Sequence, residues 1–304
     1  MSNITVEMNR THLKQNTPYY IYMDKPHKTM RHTILSLLLA LPLAAAAQQF
    51  EANGITYEVM RNYSGSVAVV RGTKTYSGTI NLPSSVSYNG TSYAVRAIAA
   101  GAFGDSYISS ISFPYSLSEI GADAFKNCRN LWDIKIPTHV ERLGAGSFEG
   151  CTSLTNVEFG YSNMRELPSR LFAGCQSLRS VRMPPYITSI GDNCFRDCRS
   201  LANISIPNRV EAIGASAFQG CRALSSINLP SQVRRIGSYA FGGCYVLKTI
   251  TCESRAPYAI YETTAFRGDG TDLYRSAKLC VPRGSLQQYK QTAGWREFQK
   301  IEEQ

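Results

Sequence analysis

The chain has 304 residues, which is long enough to bury a sizeable core in one elongated domain. Its 32 Lys and Arg residues outnumber its 22 Asp and Glu residues, giving a formal net charge of +10. This excess is uneven, since the stretch from Arg165 to Arg235 holds ten arginines, four acids and no lysine. Of the four histidines, only His139 lies beyond residue 32, so the composition argues against histidine-based catalysis.

An export signal follows a polar N-terminal segment. Residues 1–29 are polar and unpatterned, and a second methionine then precedes Arg31 and an apolar run that ends in four alanines. A positive start, a short apolar core and an alanine-rich end predict a secretory signal peptide over residues 30–47, cleaved near Ala47. The run is too short to predict a membrane span, so no stable span is expected after cleavage.

Two interpretations of residues 1–29 stay open. In the first, the segment is an over-called start or a disordered extension before the true signal at Met30. In the second, it is the short cytoplasmic tail of a signal anchor. No cysteine directly follows the signal, so the usual bacterial lipid attachment is not expected. The sequence therefore predicts an exported protein, either secreted or held at the cell surface.

Residues 48–100 are predicted to form an N-terminal β cap and an irregular first coil. Ile55–Val59 and Val67–Val69 alternate with the period of a strand, and Tyr88-Asn89-Gly90 is typical of a hairpin turn. A cap is expected here because an uncovered strand edge recruits other chains.

A repeat fills residues 101–251. Its cysteine recurs at steps of 23 residues, with one step of 24, and this fixed period predicts a solenoid whose coils bury their apolar faces against one another. The ladder residues are Phe103, Phe125, Phe148, Phe172, Phe195, Phe218 and Phe241; Cys128, Cys151, Cys175, Cys198, Cys221 and Cys244; and Leu131, Leu154, Leu178, Leu201, Leu224 and Leu247.

Each repeat divides into a strand and a short helical segment. Ile134 and Ile136 alternate with polar residues before Pro137 ends the ladder, as in a half-buried strand. From Ile120 to Cys128 the apolar spacing fits about one and a half turns of helix. The residue before each ladder cysteine tolerates the positive φ that ends a helix. These residues are Asn127, Gly150, Gly174, Asp197, Gly220 and Gly243.

One coil departs from the pattern. Between Phe159 and Pro168 it lacks both the strand-ending proline and the Ile-Gly pair, and it carries the extra residue. We expect a local bulge there rather than a break. The period fails again in residues 252–304, which are predicted to form a C-terminal cap with a strand over Ala277–Pro282 and a short helix over Gly284–Thr292.

The plainest copy is Ile204-Ser-Ile-Pro-Asn-Arg-Val-Glu-Ala-Ile-Gly-Ala-Ser-Ala-Phe-Gln-Gly-Cys-Arg-Ala-Leu224, which resembles the BspA-like leucine-rich repeat of bacterial surface proteins. The resemblance extends over roughly residues 50–304. It implies an α/β solenoid with parallel strands on one face, short helices on the other, a β N-terminal cap and a mixed C-terminal cap. It also implies adhesion to host proteins, matrix or other cells.

Nine cysteines in an exported protein invite a disulfide interpretation. Six lie on one inward-facing row, however, where neighbouring Cβ vectors run parallel instead of converging. Cys194 fills a slot that alanine holds elsewhere, while Cys252 and Cys280 are expected to point to opposite faces. We therefore predict free, buried thiols that pack as small hydrophobic groups.

No motif for catalysis, a cofactor or a metal is found. His139 follows a strand-ending proline in a turn and has no partner pattern of a nucleophile pair. Cys194 and Cys198 lack the second cysteine pair or the histidines that a zinc site needs. The sequence predicts neither an enzyme nor a cofactor-binding protein.

The open face of the predicted sheet is the first candidate binding surface. Its outward residues are mostly Ser, Thr and Asn, which suit hydrogen bonding to a protein or extracellular-matrix ligand. A merely solvated face is the alternative, and the Trp132 ring is either an exposed anchor or a core residue. The candidate residues on this face are Trp132, Asp133, Lys135, Asn156, Glu158, Arg182, Asn203 and Asn228.

Arg129, Arg199 and Arg222 form a second candidate surface, because each follows a ladder cysteine and should lie on one edge. The guanidinium group suits carboxylate, sulfate or phosphate, so an acidic glycan is an alternative ligand; plain solubility explains the row equally well. Nucleic acid is disfavoured by the export signal. The sequence thus predicts a surface-binding protein, and the alternatives are an envelope scaffold without a host ligand and an accessory module for acidic glycans.

Overall fold

The computed structural model describes residues 48–304, so the predicted signal peptide and the segment before it lie outside the described residues. Within residues 48–304 the chain winds into stacked coils that share one hydrophobic core. Two rows of mostly parallel strands follow the stack. The solenoid that the repeat predicts is confirmed.

The N-terminal strands pair in both directions. They are β1 (Gln49–Ala52), β2 (Ile55–Val59), β3 (Ser66–Val69), β4 (Ser77–Asn81), β5 (Ser85–Tyr88) and β6 (Thr91–Ile98). β1, β2 and β3 are antiparallel, and β3 then pairs parallel with β6. β5 and β6 form the predicted hairpin, in which Asn89 and Gly90 both have positive φ.

Most repeats contribute one longer strand and one strand of two residues. These are β7 (Tyr107–Ser112), β8 (Glu119–Ile120), β9 (Asp133–Ile136), β10 (Arg142–Leu143), β11 (Asn156–Phe159), β12 (Glu166–Leu167), β13 (Ser180–Arg182), β14 (Ser189–Ile190), β15 (Ala212–Ile213), β16 (Ser226–Leu229), β17 (Arg235–Ile236) and β18 (Thr249–Cys252). The longer strands form the sheet row, in which Val157 lies beside Ile134 and Val181, and all three are buried. The short strands form a second parallel row, in which, for example, β15 pairs with β14 and β17.

The predicted short helix is wrong: the segment that contains the ladder phenylalanine folds as a series of turns. Alternate backbone N–H groups leave the turn and donate to the next coil, as Phe125 N does to Ser147 O at 2.8 Å. The groups between them close four-residue turns, as Cys128 N does by donating to Phe125 O at 3.1 Å. An α-helix needs every N–H for its own carbonyls, so bonds between coils exclude it.

Two positions in each turn, four residues apart, have left-handed backbone. The second is the predicted one before the cysteine, where φ lies between 57° and 74° in all six coils. The first is occupied by residues as different as Arg170, Ser216 and Tyr239, with φ of 60°, 55° and 58°. Arginine, serine and tyrosine seldom adopt this conformation, so these three residues give no sign of it in the sequence.

The phenylalanines form one column through the core. Neighbouring rings from Phe103 to Phe241 are stacked with centroids 5.2–5.9 Å apart. Phe266 extends the column by one ring at 5.3 Å, beyond the region where the sequence period holds. Tyr76 covers one end edge-on, and Phe298 covers the other.

The coil between Phe159 and Pro168, which departs from the repeat pattern and which we call the irregular coil, keeps one row of strands and interrupts the other. β11 pairs in register with β9 and β13 without a shift, so the sheet row passes through this coil unbroken, as expected, although the expected bulge is not seen in it. The row of short strands is interrupted, because β10 pairs with β8 and β12 with β14, while no pairing joins β10 to β12 within residues 48–304. The expectation of an unbroken solenoid is therefore wrong for this second row.

The sheet row has a gap of its own, since residues 201–207 form no strand. Ile206 is buried and Ile204 is partly buried, so the inward alternation persists without the strand. The C-terminal part then contains β19 (Arg267–Gly268), β20 (Thr271–Asp272), α1 (Leu273–Ser276), β21 (Lys278–Val281), α2 (Leu286–Gln291), a 3₁₀ turn (Trp295–Glu297) and β22 (Lys300–Glu303). The predicted terminal strand and helix are confirmed as β21 and α2.

The six ladder cysteines are buried and form a second column. Each Sγ donates to the carbonyl of a ladder phenylalanine in an earlier coil, as Cys221 does to Phe195 O at 3.2 Å. Burial raises the pKa of the Cys175 thiol to about 12 and that of Cys221 well above its usual value. All nine cysteines are free, with Cys252 buried and Cys280 half-buried on the opposite face, as predicted.

We expect Phe195→Ala to lower the free energy of unfolding by about 3–5 kcal/mol, because the change leaves a cavity between two stacked rings. Urea unfolding followed by circular dichroism measures this loss. Phe195→Leu retains apolar volume and should cost less. A loss below about 1 kcal/mol for the alanine variant would contradict burial of the ring.

We expect Cys221 to resist iodoacetamide at pH 8 until the protein unfolds, because its thiol is buried and a raised pKa keeps it protonated. Cys280 is the internal control, since its half-exposed thiol should react in the native state. Peptide mapping before and after urea treatment identifies the labelled cysteines. Equal labelling of both in the native protein would overturn the inward placement.

Candidate functional site

Three neighbouring strands bring charged residues of the open sheet face together. The register of β9, β11 and β13 places Glu158 between Lys135 and Arg182, with Nζ–Oε2 and Nη1–Oε1 distances of 3.9 and 4.0 Å. Two residues earlier on β9 and β11, Asn156 Nδ2 donates to Asp133 Oδ1 at 3.1 Å. We call these five residues, together with Trp132, the sheet patch.

The ion pairs of the sheet patch are weak, so its charges stay available to a partner. The side chains of Lys135 and Arg182 are 73% and 82% exposed, and water screens their attraction to Glu158. Two positive and two negative side chains balance within the patch. It therefore suits a surface of mixed charge better than a polyanion.

Trp132 lies at the border of the sheet patch with 56% of its surface exposed, so its placement in the core is excluded. Its backbone is held in place, because Thr155 donates to Trp132 O through both N and Oγ1 at 2.9 Å. Two coils further, exposed Arg179 occupies the corresponding position after a ladder leucine. Sequence reasoning missed Arg179, although its offset from Leu178 equals that of Trp132 from Leu131.

Asn203 and Asn228 do not join the sheet patch. Asn203 is exposed in the coil that follows β13, where the chain forms no strand. Asn228 lies on β16, and its Nδ2 donates to Glu253 Oε1 at 2.6 Å. The gap at residues 201–207 thus separates the three-stranded sheet of the patch from the sheet that begins at β16.

The three arginines after ladder cysteines are not all in neighbouring coils. Arg199 and Arg222 lie in adjacent coils, whereas two coils carrying Thr152 and Gln176 separate them from Arg129. Arg199 Nε lies 3.8 Å from Asp197 Oδ1, and the Arg222 guanidinium covers the Tyr245 ring at 5.6 Å. Arg199 and Arg222 thus each have an intramolecular contact, and one shared edge for all three arginines stays a prediction.

Within residues 48–304, no group of three or more His, Cys, Asp or Glu side chains is placed to hold a metal ion. The same part of the chain contains no helix of the length and apolarity that crossing a bilayer requires. His139 is exposed, and its ring packs against Tyr115 with centroids 3.8 Å apart.

A family model for the BspA type leucine-rich repeat region matches residues 73–198 and 165–268, with six copies of the repeat. Together the two spans cover residues 73–268, which is more than half of the chain. The chain belongs to the BspA-type leucine-rich repeat family. The match begins ahead of β4 and ends just after Phe266, so the family repeat covers the whole phenylalanine column.

Solved structures of other leucine-rich repeat proteins are similar. A leucine-rich repeat protein from Eubacterium ventriosum is 25% identical with a TM-score of 0.56, over 66% of this chain and 51% of that one. The chain thus spans about half the length of that protein. A leucine-rich repeat protein from Bacteroides ovatus is 23% identical, with a TM-score of 0.45, over 84% and 76% of the two chains. A comparison with curated proteins gave no match.

Proposed function

We propose that this BspA-type repeat protein is exported to the bacterial cell surface or secreted, and that it acts by binding a protein or extracellular-matrix partner rather than by catalysis. The observation that carries the proposal is the exposed Trp132 ring beside the charged residues of the sheet patch. Residues 48–100, 101–251 and 252–304 would serve as N-terminal cap, repeat region and C-terminal cap.

The composition of the sheet patch supports a protein partner. Tryptophan and arginine dominate the binding energy of protein interfaces, and Trp132 and Arg182 lie at the border and on an outer strand of the same three-stranded sheet. Weakly paired charges on adjacent strands provide orientation and specificity. The strands themselves are fixed by the core, so the backbone beneath the patch is preorganised for binding.

The alternative ligand, an acidic glycan bound to Arg129, Arg199 and Arg222 (the arginine edge), has less support. Arg129 lies three coils from Arg199, and the other two arginines already have contacts. An envelope scaffold without a host ligand uses the same fold. Binding measurements with sheet-patch variants separate these possibilities.

Export gives the first test. N-terminal sequencing of the protein recovered from the periplasm or the medium should begin near Gln48, because cleavage is predicted after the alanine run. Arg31→Glu reverses the charge before the apolar run and should slow export. Intact residues 1–47 on protein confined to the cytosol would end the proposal of export.

The sheet patch gives the second test. Asp133, Lys135, Glu158 and Arg182 are changed together to alanine, and binding to immobilised extracellular-matrix proteins and to proteins captured from host extracellular extracts is measured. Trp132→Ala alone should weaken binding by about tenfold or more, as for an interface anchor. Melting temperatures should change little, because Trp132, Lys135 and Arg182 are exposed, and Asp133 and Glu158 are only partly buried.

A triple alanine variant of Arg129, Arg199 and Arg222 is the matched comparison. If binding is lost only in this variant, and if binding to the unmodified protein weakens as salt rises, the site is the arginine edge and its ligand is anionic. The sheet patch is then not the binding site. Full binding in both variants would exclude both surfaces. No partner for the unmodified protein would favour the envelope scaffold.

A further inference from the structure

Three exposed rings and one half-buried ring gather along the edge of the solenoid where the sheet strands end. The Tyr115 ring packs on the imidazole of His139 at 3.8 Å between centroids. Further along, Tyr161 and Tyr186 meet nearly at right angles, with centroids 5.8 Å and hydroxyl oxygens 3.3 Å apart. Tyr115 and Tyr161 are 78% and 70% exposed, so the core does not account for their placement. We call these four residues the aromatic edge.

A cleft separates the two ring pairs of the aromatic edge. Its volume is about 410 Å³, within the usual range of small-molecule sites. Its lining combines two rings with a carboxylate, an amide, a hydroxyl group and a thioether. The lining residues are Thr138, His139, Glu141, Tyr161, Asn163 and Met164.

The cleft results from the irregular coil. Six residues, 160–165, join β11 to β12, against five, 137–141, between β9 and β10. Elsewhere a glycine N–H joins successive coils, as Gly191 N does by donating to Leu167 O at 2.8 Å. The irregular coil has Pro168 at that position, which has no N–H to donate to the coil before it. The extra residue and this proline explain why β10 and β12 do not pair.

The chemistry of the lining points to a sugar. A pyranose ring has an apolar face that stacks on an aromatic ring and a rim of hydroxyl groups that need hydrogen-bond partners. Tyr161 and His139 offer rings, while Glu141, Asn163 and Thr138 offer acceptors and donors within the same cleft. No Lys or Arg belongs to the lining, and Glu141 repels an anion, so the sugar held in the cleft is uncharged. The Arg209 guanidinium lies outside the lining, over the Tyr186 ring at 5.2 Å.

A proline-rich peptide is the competing occupant, because it also docks on aromatic residues. Such peptides fill grooves lined mainly by aromatic rings. Here a carboxylate, an amide and a hydroxyl group lie between the two ring pairs, and in a proline-rich segment few backbone N–H groups would remain to bond the carboxylate. The observations therefore favour the sugar.

We propose that the cleft between His139 and Tyr161 binds one hexose of a neutral glycan, whose neighbouring sugar lies on Tyr115. This site is formed by the turns after the strands and is distinct from the sheet patch. It adds a carbohydrate ligand to the proposed protein partner and does not depend on it.

Isothermal titration of the purified protein with cellohexaose, maltohexaose and laminarihexaose tests the proposal. At least one of these neutral oligosaccharides should bind saturably. Tyr161→Ala should weaken that binding by about tenfold or more, whereas Tyr161→Phe, which keeps the ring, should stay within about threefold. Tyr107→Ala is the matched control, because Tyr107 is 64% exposed but does not line the cleft. Melting temperatures confirm that each variant is folded.

The proposal is overturned if none of the three oligosaccharides binds, or if Tyr161→Ala binds as well as the unmodified protein. Tighter binding of a heparin oligosaccharide at the cleft would show an anion site, and tighter binding of a proline-rich decapeptide would show a peptide groove; either result rejects the neutral sugar. The quadruple sheet-patch variant should bind the oligosaccharide normally. If this variant loses a protein partner but still binds the oligosaccharide, the proposed sugar site stands.

Discussion

The structure depends on the stacking of one coil on the next through the phenylalanine column. No single coil can bury its ring, its cysteine and its leucine alone, because each is covered by the coils on either side. Hydrogen bonds from alternate turn residues fix the spacing at which the rings meet, as Asn127 N does by donating to Glu149 O at 2.7 Å. Tyr76 and Phe298 end the column, so the caps complete a core that the repeats leave open.

The sequence was sufficient for those features that the core dictates. Period, strand alternation and the left-handed residue before each cysteine follow from burial and from the side chains that tolerate positive φ. The turn in place of the helix was not predictable, because the apolar spacing of Ile120, Ala124 and Cys128 suits either conformation. Bonds to the next coil decide the matter, and they hold Ser216 N to Ser238 O at 2.8 Å despite a residue that does not favour positive φ.

The candidate sites likewise combine features that the sequence predicts with features that it does not. Strand alternation predicted that Lys135, Glu158 and Arg182 face outward, and register then made them neighbours. Distances along the edge of the solenoid are harder to predict from a shared offset, because Arg129 and Arg199 have the same offset but are three coils apart. The aromatic edge escaped the sequence analysis because its rings sit at different offsets from the strand ends: Tyr115 comes one residue after Pro114, and Tyr186 two residues after Pro184.

Both proposed sites consist of surface residues that can vary because the packed core beneath them is rigid. The ladder residues are fixed by packing on every side, so a change there affects stability first. Outward residues on β9, β11 and β13 and the turns after them vary without disturbing the column. The irregular coil extends this freedom to the backbone: an added residue and Pro168 interrupt only the row of short strands, while Phe148 and Phe172 stay stacked at 5.9 Å, the widest spacing among neighbouring phenylalanines of the column. A solenoid can thus acquire a cleft at one coil because its stability is summed over neighbouring coils.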